Sequence, residues 1–99
     1  MKIDRLDHLV LTVRDLPATI AFYTRVLGFR EITFNAGRKA LGFGQQKINL
    51  HTPEQPFEPK AHRPTAGSAD LCFITSTPFE AVVEHMKACG VAIEEGPVP

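Results

Sequence analysis

Three side chains able to ligate a divalent metal, His8, His51 and Asp70, sit on segments otherwise composed for burial. In Leu6-Asp-His-Leu-Val-Leu-Thr-Val13 the strand period of two puts Leu9, Leu11 and Val13 on one face and His8, Val10 and Thr12 on the other. Ile48 and Leu50 set the apolar phase of the segment that ends at His51, and Leu71 and Phe73 set that of the segment carrying Asp70. The polar residue is out of phase with the apolar set each time, so all three are expected on the face turned away from the covering helices. Imidazole nitrogen and carboxylate oxygen form a donor set for Zn, Ni, Mn or Fe that leaves positions open for a substrate. The same residues serve equally well as hydrogen-bonded structural groups.

Lys60, His62 and Arg63 form a small basic cluster suited to a substrate carboxylate or phosphate, and Lys60 and Arg63 are the expected substrate-binding residues. The competing reading is a solvated loop. His85, between Glu84 and Met86 on a helix, is expected to face solvent. Cys72 and Cys89 match neither a disulfide framework nor a zinc knuckle and are expected to be reduced packing residues. No nucleophile elbow and no phosphate-binding glycine loop occurs.

The elements that must position these residues alternate in kind. After the first strand, Asp15 stands as a helix N-cap, Pro17 occupies the first turn, and Ile20, Phe22, Tyr23, Val26 and Leu27 make an apolar face that stops at Gly28. Strands follow over 29–34, 38–43 and 47–51, with turns at Asn35-Ala-Gly37 and Gly44-Gln-Gln46. A proline-broken linker then runs to Gly67. Beyond it, 68–75 reads as a strand, Thr77-Pro-Phe-Glu80 as a capping box, and Phe79, Val82, Val83 and Met86 as the core face of a second helix ending at Gly90. Val91 begins another strand.

The second half repeats the first. Asp15 and Thr77, Gly28 and Gly90, and Leu9 and Leu71 are each 62 residues apart, and the same offset pairs His8 with Asp70. A tandem duplication of a strand-helix-strand-strand-strand unit accounts for this. The expected organisation is one α+β domain over 1–99: module one at 1–52, a linker at 53–67, and a partial second module at 68–99 that lacks its last two strands. Applied to His51, the offset points to position 113, past Pro99. The site is therefore expected to be short of one ligand.

Formal net charge is zero, which removes the long-range field that would gather nucleic acid or an anionic membrane and leaves a small molecule as the expected partner. The charged start of the chain does not resemble a signal peptide, and no stretch approaches the roughly 18 apolar residues of a membrane span, so a cytoplasmic location is expected. A chain of this length buries about 60–65% of its unfolded surface, and self-association is expected to complete it.

Leu6-Asp-His-Leu-Val-Leu-Thr-Val13, Phe22-Tyr-Thr-Arg-Val-Leu-Gly-Phe29 and Ile48-Asn-Leu-His51 resemble the vicinal oxygen chelate superfamily of glyoxalase I, bleomycin-resistance proteins, fosfomycin-resistance enzymes and extradiol dioxygenases. Within it, Arg38-Lys-Ala-Leu-Gly-Phe-Gly44, Phe57-Glu-Pro-Lys-Ala61, Gly67-Ser-Ala-Asp70 and Ile93-Glu-Glu-Gly-Pro-Val-Pro99 are similar to the glyoxalase domain-containing protein five group. The resemblance implies paired βαβββ modules forming a cup-shaped mixed sheet, helices outside, around a divalent metal, often in a homodimer that exchanges modules. By position it assigns metal ligation to His8, His51 and Asp70. The family's last ligand is a glutamate in the final strand, also the expected proton carrier, and that strand lies beyond Pro99. The resemblance implies a metal-dependent lyase or isomerase similar to glyoxalase I, acting on a small oxygenated substrate through an enediolate. The alternatives are a non-catalytic drug-binding protein of the bleomycin-resistance type, or a fosfomycin-type transferase or dioxygenase on the same scaffold.

Overall fold

The computed structural model describes residues 1–55 and 57–94. Four strands and two helices form: β1 (His8–Thr12), α1 (Leu16–Arg25), β2 (Arg30–Phe34), β3 (Arg38–Phe43), β4 (Gln46–His51) and α2 (Phe79–Ala88). The sheet order is β1-β4-β3-β2, with β1 parallel to β4 and the other neighbours antiparallel. This is an α+β fold built on one strand-helix-strand-strand-strand unit.

The period of two decides which face is covered. Leu41, Ile48 and Leu50 are buried together with Val13, and Leu9, Leu11, Leu16, Ile20, Tyr23, Phe29 and Phe43 pack against them. Helix α1 supplies Leu16, Ile20 and Tyr23 to that cluster, so it lies on the face carrying the odd-numbered leucines of β1. Asp15 caps it as expected, its Oδ1 accepting the Ala18 N–H at 3.0 Å.

The β2–β3 connection sits in the left-handed region at Asn35 (φ 41°), Ala36 (φ 62°) and Gly37 (φ 90°). Asparagine and glycine tolerate this conformation, whereas the alanine Cβ crowds its own carbonyl. Ala36→Gly is expected to relieve that crowding and raise stability by roughly 0.5–1 kcal/mol, net of the added unfolded-state entropy. A urea midpoint unchanged or lowered would show that the turn carries no such strain.

The second half departs from expectation in three places. Residues 69–76 form no strand, although Leu71 packs against the core cluster and the Phe73 ring stands 5.4 Å from those of Phe29 and Phe43. A strand exists through its ladder partner. In the first unit β1 pairs with β4; among the described residues, 68–75 pairs with no strand. The expected strand from Val91 is likewise absent over 91–94, and the rest of it lies outside the described residues. The expected Thr77 capping box does not form either: Pro78 occupies the N-cap with no side-chain cap bond, which places Thr77 one residue too early. His85 is exposed, as expected, and its Nε2 also reaches Val26 O at 2.7 Å, tying α2 to the end of α1. Among the described residues no helix is long and apolar enough to cross a membrane.

Candidate functional site

The ladders arrange the face opposite α1 in three rows. His8, Lys47, Gly42 and Arg30 lie across the sheet in the first; Val10, Asn49, Ala40 and Ile32 in the second; Thr12, His51, Arg38 and Phe34 in the third. Ala40 and Gly42 make a shallow floor there. The side chain of Arg30 lies over Gly42, where a Cβ would stand 2.7 Å from its Nη2. The ring of Phe34 has the Arg38 Cζ 5.0 Å from its centroid and the Lys47 Nζ at 4.4 Å, and Phe57 of the loop after β4 covers Arg38 from above at 4.3 Å.

His8 and His51 share this face, as the strand phase demands, but the structure does not bring them together. The register pairs His8 with Lys47 and His51 with Thr12. At about 3.3 Å per residue, that four-residue offset separates the two imidazoles' backbone positions by about 13 Å along the strands. Period-two reasoning fixes the face and says nothing of the row. Asp70 is exposed and lies on no strand. Lys60 is engaged by Glu58 at 2.9 Å on the exposed loop, where Arg63 and His62 also lie; of that loop, Phe57 is the residue shown against the sheet. Among the described residues, no group of three or more His, Cys, Asp or Glu is positioned to hold a metal ion.

The two histidines have opposite surroundings. His8 is exposed, with Nδ1 held by Asp7 Oδ2 at 2.8 Å. The hydrogen bond to His8, ahead of the charges of His8, Lys47 and Arg5, holds the Asp7 carboxyl below the usual carboxylate range. A carboxylate on Nδ1–H leaves Nε2 with the in-plane lone pair, the arrangement that orients a metal-binding imidazole. His8 therefore fits one ligand of a divalent ion.

His51 is 1% exposed. The Phe57 N–H donates to its Nδ1 at 3.4 Å, and Arg38 Nη2 stands 3.4 Å from its Nε2. A neutral imidazole has one in-plane lone pair, so it accepts from only one of these donors. A guanidinium thus stands at one nitrogen of His51 and the Phe57 N–H at the other, and the expected ligand lies two rows from His8, packed against Arg38 and Phe57. Burial, then the Arg38 charge, pushes the His51 pKa below its ordinary 6.5. The unfolded chain therefore binds more protons than the folded one below that pH, so this contribution to stability is complete above about pH 6.5 and is lost as pH falls toward the depressed folded pKa. Urea midpoints are expected to decline across that window, with a shallower decline in His51→Gln; equal slopes would exclude His51 as the source.

Arg38, Lys47 and Asn49 escaped the sequence reading. Asn49 is 7% exposed and its Oδ1 is buried without a partner, as is Arg38 Nε. The signal was present in Arg38-Lys-Ala-Leu-Gly-Phe43, where period two puts Arg38 in phase with Ala40 and Gly42, on the face of His51.

Over 98 residues the chain is 64% identical to the virulence protein STM3117 of Salmonella typhimurium, covering 99% of this chain and 68% of that protein. The crystal structure of that protein superposes with a TM-score of 0.95, covering 99% of this chain and 78% of the other. The glyoxalase domain-containing protein RDO1 of Mycosarcoma maydis is 48% identical over 98 residues, 99% of this chain, which spans 55% of RDO1's length. Fold alone is shared with lactoylglutathione lyase of Agrobacterium tumefaciens (TM-score 0.76, 19% identity, covering 96% of this chain and 77% of the other). The same holds for the fosfomycin resistance protein FosX of Listeria monocytogenes, solved with Mn(II) and sulfate (TM-score 0.64, 22% identity, covering 99% and 74%). Residues 5–99 match the family described as the Glyoxalase/Bleomycin resistance protein/Dioxygenase superfamily, and the chain belongs to it.

Proposed function

We propose that this chain contributes to a metal-dependent lyase or isomerase of the glyoxalase type, acting in the cytoplasm on a small oxygenated substrate. The observation that carries the reading is the Asp7–His8 pair: a carboxylate fixes Nδ1 and leaves Nε2 open at the start of β1. Its setting is a fold shared with a lactoylglutathione lyase and with a fosfomycin resistance protein solved with Mn(II).

His8 is the ligand this chain presents, and Asp70, its counterpart at the 62-residue offset, is the second, brought to the site when 69–76 acquires a strand partner. A homodimer supplies the remaining wall. The bound ion would polarise adjacent oxygens of the substrate and stabilise negative charge developing on them. Asp7 sets the tautomer of His8, and His51 holds Arg38 and Phe57 at the far end of the same face.

Elemental analysis of the assembled protein after equilibration with Zn, Ni, Mn and Fe tests this. A stoichiometric ion that is lost together with turnover in His8→Ala is the expected result. A metal-free protein, or one whose metal content is indifferent to His8, would leave a sequestering protein as the function.

A further inference from the structure

The zero net charge of the chain conceals an uneven distribution across the sheet. In the three rows of the open face stand Arg30, Arg38 and Lys47 and no aspartate or glutamate at all. On the opposite face the strand cation is matched: Lys39 pairs with Glu31 at 2.9 Å. On the loop, Lys60 pairs with Glu58. Among the described residues, neither Arg38 nor Lys47 has a carboxylate within 4 Å. Asp7, before the start of β1, feels the charge of Lys47 but is already hydrogen-bonded to His8.

These two cations also converge. Both stand over the ring of Phe34, at 5.0 and 4.4 Å from its centroid, which places the charges at most 9.4 Å apart, the sum of the two distances. Lys47 starts two rows from Phe34, so its stem crosses the middle of the floor to get there. Phe34 and Phe57 flank the guanidinium and fix its plane. Under this layer the Asn49 Oδ1 and Arg38 Nε lack partners, although Asn49 is nine-tenths buried. Like charges drawn together over small, apolar floor residues, with unused polar atoms beneath them, describe a site prepared for an oxyanion.

We propose that the open face binds a small organic oxyanion, a carboxylate or phosphate ester with an apolar body, held by Arg38 and Lys47 beside the Phe34 ring. The guanidinium is the fork that receives two oxygens and the ammonium is the point charge. Phe34 and Phe57 contact the apolar body, and Asn49 accepts from any hydroxyl next to the anionic group. The site deepens the proposed function by naming the charge class of its substrate, yet it requires no metal.

The test is titration of the full chain with benzoate, phenyl phosphate and the neutral isostere benzamide, in EDTA, followed by amide and arginine Nε–H resonances. Running it without metal separates this inference from the enzyme reading: binding persists here even if no ion is ever found. Saturable shifts centred on Arg38, Lys47, Phe34 and Asn49 are expected for at least one anion and not for benzamide. Lys47→Met, which keeps the stem, and Arg38→Gln should each weaken binding roughly tenfold or more, the scale of a charge-assisted hydrogen bond. Lys87→Gln, in the last turn of α2, should leave it unchanged. The preferred probe identifies the source: benzoate for a carboxylate, phenyl phosphate for a phosphate ester. Non-saturating shifts, equal binding of benzamide, or indifference to Lys47→Met would overturn the proposal. Because Lys47 is a half-buried side chain without an ionic partner among the described residues, that variant remains decisive if Arg38→Gln fails to fold.

Discussion

Leu41→Ala is expected to bring the chain close to unfolding at 25 °C. Leu41 is fully buried at the centre of β3, in the one cluster that also holds Val13, Ile48 and Leu50. Truncating such a leucine costs about 3–5 kcal/mol, the lost transfer energy plus the cavity left behind. A domain of this size has roughly 5–15 kcal/mol in total. This one stands toward the low end, because among the described residues only Val13, Val26, Ala40, Leu41, Ile48 and Leu50 form the buried hydrophobic core and apolar residues such as Phe73 and Ile74 stay exposed. In urea the midpoint should fall by more than half with little change in slope. A loss below about 1 kcal/mol would mean the sheet is held elsewhere, the α1 contacts being the first place to look.

The second large effect is graded across two adjacent residues. At the proposed site, His8→Ala removes the imidazole that would ligate the ion, and metal affinity in the assembled protein should fall by more than a hundredfold, on the order of 3 kcal/mol or above. Asp7→Asn keeps the ligand but exchanges the carboxylate that fixes its Nδ1 at 2.8 Å for a neutral amide. The expected loss is about 10–100-fold, the range for an outer partner of a ligating histidine. The order of the two effects matters more than either size. If Asp7→Asn were as damaging as His8→Ala, Asp7 would be acting directly on the ion or the substrate; if it had no effect, the pair would be a surface ion pair of little consequence. Competition with a chromophoric chelator measures both on one scale.

Much of the architecture was legible because it is local. Asp15 is a cap because its carboxylate reaches an N–H three residues on, and the turns at Asn35-Ala-Gly37 and Gly44 follow from which residues accept positive φ. The alternation in β1, β3 and β4 fixed which face α1 would cover, and with it the face that carries His8 and His51.

What the sequence could not supply is register. A period of two assigns a face but leaves the sliding position of each strand free, and sliding is settled by ladder hydrogen bonds between residues dozens of positions apart. That is why His8 and His51, correctly placed on one face, turned out to be separated by the length of β1. It is also why Arg38 and Lys47, nine positions apart in the chain and on different strands, were not seen to meet over Phe34. Composition and periodicity alone determined a covered sheet with polar groups on its free side. Only the tertiary pairing decided that one end of that side presents an imidazole oriented by a carboxylate, and the other a buried histidine beneath two converging cations.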